Sequence, residues 1–221
     1  DGKIFLGTNN DNPRNPDIKG DKGVLLCLRE SDGKFLWQAV TEKLDADSDW
    51  PEQGVCSSPA VEGKRLYYVS NRNELICLDT EGFADGKNDG AFQDEVHKGP
   101  TDADIIWKLD MRTQLGVSQL YMASSSPVVW EDLVFVGTSN GRDSTDEKVV
   151  APKAPSFVAV NKNTGKVVWQ DNSPREKILH GQWSSAALGA VDGVQQVFFP
   201  GGDGWLYAFN ARTGEKLWKF D

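Results

Sequence analysis

The chain has 221 residues, a formal net charge of −9 and a hydrophobic share of 38%, which suits a soluble protein with one sizeable core. No apolar run reaches the roughly 18 residues of a membrane helix, no signal or transit segment is visible, and an acidic balance without a Lys/Arg cluster argues against nucleic acid as a partner. Three cysteines permit at most one disulfide, which excludes a disulfide scaffold.

In chain order, Asp1-Gly2 reads as a turn and residues 3–7 (Lys-Ile-Phe-Leu-Gly) as a strand. Residues 8–17 form a polar loop rich in oxygen donors. Asn9, Asp11 and Asp17 are its metal candidates, although the spacing is no EF-hand and Asn/Asp/Pro runs are ordinary turn formers. Strands follow at 25–28 and 34–37. The next link holds Trp50 among Asp45, Asp47, Asp49 and Glu52, a candidate anchor for a partner. Strands are expected at 57–61, 65–69, 74–79 and 105–109, with an insert at 80–104 that carries a second polar run at 85–90. A short helix fits within 113–122. Further strands are expected at 125–129, 133–137, 157–161 and 166–170, then at 184–191, 195–200, 205–210 and 215–220. Asp192-Gly193 and Gly201-Gly202-Asp203-Gly204 make tight turns between them.

These strands repeat. Gly33-Lys34-Phe35-Leu36-Trp37, Gly165-Lys166-Val167-Val168-Trp169 and Gly214-Glu215-Lys216-Leu217-Trp218 close three units at equal offsets, and Trp107 closes the remaining unit after its insert. A recurring unit that cannot bury its own apolar face must stack on its copies. Four-stranded antiparallel meanders repeated about an axis are the blades of a β-propeller, so the fold class is all-β. A β-sandwich is the runner-up, but it gives no reason for the repeated Gly-x-x-x-Trp. The expected boundaries are blade 1 at 1–40 without its first strand, blade 2 at 55–110, blade 3 at 123–171 and blade 4 at 182–221. Two open sheet edges are a liability, so the four blades are expected to be part of a seven- or eight-bladed ring, or half of a dimeric one.

The stretches Ala159-x-Asn161-x-x-Thr164-Gly165-x-x-x-Trp169 and Ala208-x-Asn210-x-x-Thr213-Gly214-x-x-x-Trp218 resemble the tryptophan-docking motif of the PQQ-like (quinoprotein) propellers. Residues 27–37 match with Cys27 for Ala and Asp32 for Thr. That family includes PQQ-dependent alcohol dehydrogenases and BamB-like scaffold proteins of outer-membrane assembly. The resemblance implies that Trp37, Trp107, Trp169 and Trp218 pack between neighbouring blades beside Gly33, Gly165 and Gly214. It also implies an extracytoplasmic (periplasmic or secreted) location, with Asp1 following a removed leader.

With the strands of each blade labelled A to D, the D–A and B–C connections share one face, and most long segments lie there, so that face is expected to carry function. Aligning the A strands equates Gln53, Tyr121 and His180, and likewise Cys56, Ser124 and Trp183. Gln53, Tyr121, His180, Gln182 and Trp183 are therefore the candidate ligand-contacting residues at the channel mouth. Cys27 and Cys77 fall where the repeat has Ala, which predicts buried structural thiols, whereas Cys56 is the thiol expected to be exposed. The adjacent cysteine pair of PQQ enzymes is missing from the sequence, and the family's calcium–quinone residues find no matching positions. No Ser/His/Asp triad, phosphate loop or zinc spacing appears either. The reading is a non-catalytic interaction scaffold without catalytic residues or an expected cofactor, partnered by other proteins of an extracytoplasmic complex or by a second half-propeller. Two alternatives stand beside it: a PQQ/calcium-dependent dehydrogenase or electron-transfer domain, and a carbohydrate-binding propeller.

Overall fold

The computed structural model describes residues 2–221, so Asp1 of the first predicted turn lies outside the described residues. β1 (Lys3–Asn9), β2 (Lys22–Arg29) and β3 (Phe35–Glu42) form a three-stranded sheet. Three four-stranded sheets follow: β4 (Ala60–Glu62) to β7 (Ile105–Asp110), β8 (Val128–Trp130) to β11 (Val167–Asp171), and β12 (Ala187–Val191) to β15 (Lys216–Phe220). Every ladder is antiparallel and joins strands adjacent in sequence, as expected of propeller blades. Three apolar layers lie between successive sheets, built on Trp37 and Tyr68, on Tyr67 and Trp107, and on Phe135, Phe157 and Phe199.

The register explains the small residue upstream of each tryptophan. Cys27 pairs with Trp37, Cys77 with Trp107, Ala159 with Trp169 and Ala208 with Trp218, and each ladder slips by a bulge just beyond that pair. A large side chain opposite the indole would have no room there.

Three of the four indoles reach out of their own blade. Trp37 Nε1 donates to the Thr80 carbonyl (3.1 Å), Trp107 Nε1 to Lys162 (2.8 Å) and Trp169 Nε1 to Ala211 (3.1 Å), always on the following sheet. The glycines of the receiving turns lie flat on these rings. A Cβ on Gly165 would stand 2.7 Å from Trp107, and one on Gly214 2.6 Å from Trp169. Trp218 differs, because its N–H turns back to Gln196 Oε1 in the same blade (3.0 Å). Gly33, at the other end of the repeat, has no atom within 4 Å of where a Cβ would sit.

Some elements depart from the sequence reading. The helix after β7 is α1 (Met111–Leu115), not a helix within 113–122. The Asp110 carboxylate caps the Arg112 and Thr113 N–H groups, and Gly116 ends the helix at a φ of 70°. The innermost strands begin about three residues late because their leading serines bond by side chain instead of ladder. Ser57 Oγ both donates to and accepts from the Val69 backbone, and Ser125 Oγ accepts the Gly137 N–H. β2 and β3 run longer than expected, since the 10–21 loop folds on itself through Asn10 Nδ2 bonds to the Ile18 and Gly20 carbonyls and leaves the hairpin intact.

Candidate functional site

The face that carries the D–A and B–C connections holds a row of aromatic rings drawn from three successive blades. Trp50 stacks on Tyr121 at a centroid distance of 4.7 Å. His180 meets the Tyr121 ring edge-on at 5.8 Å and Trp183 at 5.4 Å. Trp50 remains 44% exposed, so the row is open to solvent at that end.

Backbone pairing and buried polar groups fix the strip. Trp50 N donates to the Tyr121 carbonyl, and Tyr121 N donates to that of Asp47, both at 2.8 Å. Gln119 Nε2 ties the two loops to blade 2 through the Ser48 (2.6 Å) and Asn71 (2.8 Å) carbonyls. Beneath them Lys43 forms a partly buried ion pair with Asp49, which also accepts from Asn71 Nδ2 at 2.6 Å. Trp183 Nε1 donates to the Leu120 carbonyl (3.2 Å). Tyr121 holds φ at 63°, a left-handed conformation rare for a bulky side chain. Strain of that kind persists only where the surroundings over-determine it, and it gathers at functional sites.

The His180 end of the strip carries paired charges. Asp146 Oδ1 lies 3.1 Å from both His180 Nδ1 and Arg142 Nε, and Arg142 Nη1 also donates to the Ile178 carbonyl (3.3 Å). The imidazole is therefore held by a carboxylate shared with a guanidinium, an arrangement that orients the ring.

The other candidate residues separate into distinct places. Gln53 is exposed and stays outside the row. Gln182 is buried, and its amide bonds the Asn140 carbonyl, Ser156 Oγ and the Gly202 N–H, which joins blade 3 to blade 4. Asn9 and Asp11 satisfy each other in an Asx turn, with Asn9 Nδ2 also on the Glu52 carbonyl (2.7 Å). Asp17 sits in another turn, its N–H on Asn15 Oδ1. Cys27 and Cys77 are buried, and burial pushes their thiols up to about 11 and about 12. Cys56 is exposed.

Sequence reasoning placed Tyr121 and His180 at equivalent positions but missed that Trp50 folds across a blade boundary onto Tyr121. The pattern held no signal for it, because Trp50 lies outside the repeat. A cavity of about 130 Å³ lies between β3 and the 80–104 insert, lined by Tyr68, Glu74, Phe92, Glu95 and Lys108 among others. Beside it, burial pushes the Asp104 carboxyl up to about 6. The Asp89 N–H bond opposes this, and nearby Glu95, Asp89 and Asp79 add to the rise.

A protein-family model described as outer membrane protein assembly factor BamB, of PQQ-like type, matches residues 100–221. The chain belongs to the PQQ-like propeller family. A quinoprotein ethanol dehydrogenase of Pseudomonas putida is 46% identical over 65 residues, a match covering 29% of this chain and 9% of that enzyme. Two solved quinohemoprotein alcohol dehydrogenases share the fold. That of Pseudomonas putida HK5 aligns at a TM-score of 0.62 with 17% identity over 99% of this chain, and that of Comamonas testosteroni at 0.61 with 15% identity over 100%. The chain spans about a third of the length of each of the two, 33% in both cases.

Some PQQ-like propellers thus hold a quinone, and the residues of this chain can be tested against that group. Among the described residues, no three His, Cys, Asp or Glu side chains gather in a metal-ligand geometry. On the D–A/B–C face Asp49 is committed to Lys43, Asp146 to Arg142 and His180, and Asp11 to Asn9. The three thiols are free and far apart in sequence. A calcium–quinone pair finds no donor set among these side chains.

Proposed function

We propose that the chain is a non-catalytic interaction propeller, a scaffold or subunit of an extracytoplasmic assembly, that seats a protein partner on its D–A/B–C face. The observation that carries this reading is the Trp50–Tyr121–His180–Trp183 row. Aromatic anchors on a rigid, hydrogen-bonded base lose little entropy on binding and dominate interface energetics. Asp49 and Asp146 beside the row are already held in ion pairs, and its rings carry the binding capacity. The description of the matching family model, an outer membrane assembly factor, supports both a protein partner and an extracytoplasmic place.

The test is affinity capture from periplasmic extract with wild-type bait and with Trp50→Ala and His180→Ala baits, quantified by mass spectrometry. The expected result is a partner set depleted at least tenfold by Trp50→Ala, about the value of one good anchor. A set retained in full by both variants refutes the reading. The identity to the ethanol dehydrogenase favours a second reading, a quinoprotein domain whose cofactor ligands come from outside these residues. Dye reduction with alcohols in the presence of PQQ and Ca²⁺ would establish it and overturn the first.

A further inference from the structure

Blade 2 departs from the other blades at its C–D connection. Residues 80–104 join its last two strands, where the others have only the turns at 30–34, 162–166 and 211–215. The insert closes over the junction between blades 1 and 2. The Ala91 and Phe92 N–H groups donate to the Ile106 carbonyl of β7 (3.0 and 3.2 Å). The Gln38 N–H of β3 donates to the Thr101 carbonyl (3.0 Å), and the Ala103 N–H donates to that of Gln38 (2.9 Å). The cavity of about 130 Å³ is lined from both blades and from the insert.

Its walls are largely apolar, with Val40 from β3, Tyr68, Ile76 and Ile105 from blade 2 and Phe92 from the insert. An apolar cavity of about 150 Å³ holds one benzene molecule, so this one takes a single six-membered ring and little more. One polar group in the wall is unused. Tyr68 is 1% exposed, and its hydroxyl makes no hydrogen bond among the described residues. Buried Tyr hydroxyls ordinarily find a partner. Burial, with the Glu74 carboxylate nearby, pushes this hydroxyl above its ordinary value, so it keeps a proton to donate.

The charges in the lining select against ionic ligands. Lys108 Nζ lies 3.0 Å from Glu74 Oε1 and 5.1 Å from the centre of the Phe92 ring, so the place for a cation is already filled from within the chain. Glu74 Oε2 accepts from Ser70 Oγ (3.0 Å), and Glu95 is held by Lys98 (3.6 Å) and by the Ile105 N–H (3.3 Å). Asp94 and Asp102 add further negative charge, which disfavours an anion. An uncharged ring with one oxygen meets neither obstacle.

We infer that the cavity under the insert is a binding site for a small uncharged ring compound that bears one hydroxyl, of the size of phenol. The ring packs among Val40, Ile76, Phe92 and Ile105, and its oxygen accepts the Tyr68 hydroxyl proton. Apolar walls supply affinity and the single polar group fixes orientation. This site is separate from the Trp50–Tyr121 row and does not rest on the proposed protein partner.

The probe is 4-fluorophenol, titrated by fluorine NMR against the whole chain at pH 7, with the amide signals of Phe92 and Ile105 followed in parallel. Saturable one-to-one binding is expected with a Kd of about 1 mM, a modest value for eight heavy atoms, and both amides shift. Tyr68→Phe removes only the hydroxyl and is expected to leave the circular dichroism unchanged. It should weaken 4-fluorophenol about fivefold, the value of one hydrogen bond, and leave fluorobenzene binding as it was. 4-Fluorobenzoate is expected to bind at least tenfold more weakly than 4-fluorophenol. The assignment is overturned by no saturation at about 10 mM, by equal binding of the benzoate, or by a Tyr68→Phe variant in which the two neutral ligands change alike. Shifts at Trp50 and Tyr121 without shifts at Phe92 and Ile105 would move the ligand to the aromatic row and overturn it as well.

Discussion

Replacing Trp37 and Trp218 by alanine, one at a time, separates an indole docked on the next blade from the same residue type without such a dock. Trp37 is 1% exposed, lies 5.8 Å from Phe5, abuts Gly82 and donates to the Thr80 carbonyl. Removing it withdraws about 200 Å² of buried apolar surface, roughly 5 kcal/mol at 25 cal/mol per Å², and measured Trp→Ala losses in cores run about 3–5 kcal/mol. The Thr80 carbonyl then loses its donor, at a further cost of about 1 kcal/mol. Trp218 is 39% exposed and bonds only within its own blade. Its substitution is expected to cost about 1–2 kcal/mol, in the range of partly exposed sites. Urea unfolding followed by far-ultraviolet circular dichroism reads the difference. With a slope of about 2–3 kcal/mol/M for a chain of this size, Trp37→Ala moves the midpoint down by about 1.3–3 M and Trp218→Ala by about 0.3–1 M. A loss below about 1 kcal/mol at Trp37, or equal losses at both sites, refutes the account of inter-blade packing.

Thiol labelling of the native chain with iodoacetamide is expected to modify Cys56 and to spare Cys27 and Cys77 until the chain unfolds, as counted by mass spectrometry. Desolvation, aided by the Asp49 carboxylate, raises the Cys56 thiol as well, so its labelling at pH 8 should be slower than that of a free cysteine. Asp104 titrates near 6 in the folded chain and near 3.9 when unfolded, so the folded state binds the extra proton between those values and this group's contribution to stability falls as pH rises from about 4 to 6. Asp104→Asn should therefore gain stability over wild type at pH 7–8 and little at pH 4, as measured by paired thermal melts. Lys43→Ala leaves the buried Asp49 carboxylate without its cation and is expected to cost about 2–4 kcal/mol, which denaturant titration would detect.

Much of the fold was legible because the repeat states it four times. The Gly-x-x-x-Trp offset located three of the four outer strands, and the aligned Cys or Ala marked the residue that faces the indole. What the pattern hid lies where side chains replace main-chain bonding. Ser57 and Ser125 looked like strand residues, yet their hydroxyls take the ladder's place. The helix after β7 starts earlier than the 113–122 stretch expected for it because Asp110 caps it. The site was legible only in part. Repeat alignment made Tyr121 and His180 neighbours around the rim, whereas the Trp50 stack depends on backbone bonds between residues some 70 positions apart, Trp50 to Tyr121 and Tyr121 to Asp47, which no local pattern encodes.

The same contrast bears on how the molecule functions. The blade junctions are apolar and repeated, so they set a rigid frame whose geometry depends little on any one loop. The D–A/B–C face is built differently, from single polar contacts such as Gln119 to Ser48 and Asn71, and Asp146 between Arg142 and His180. Loops held by a few specific bonds on a stiff frame can change sequence without unsettling the core. A partner that reads Trp50, Tyr121 and His180 therefore reads residues whose mutual positions are set by the frame and whose identities are free to specialise. On this argument, changes at the rim should alter partner choice at small cost in stability, and changes at the junction tryptophans should lower stability and leave partner choice unaltered for as long as the chain stays folded.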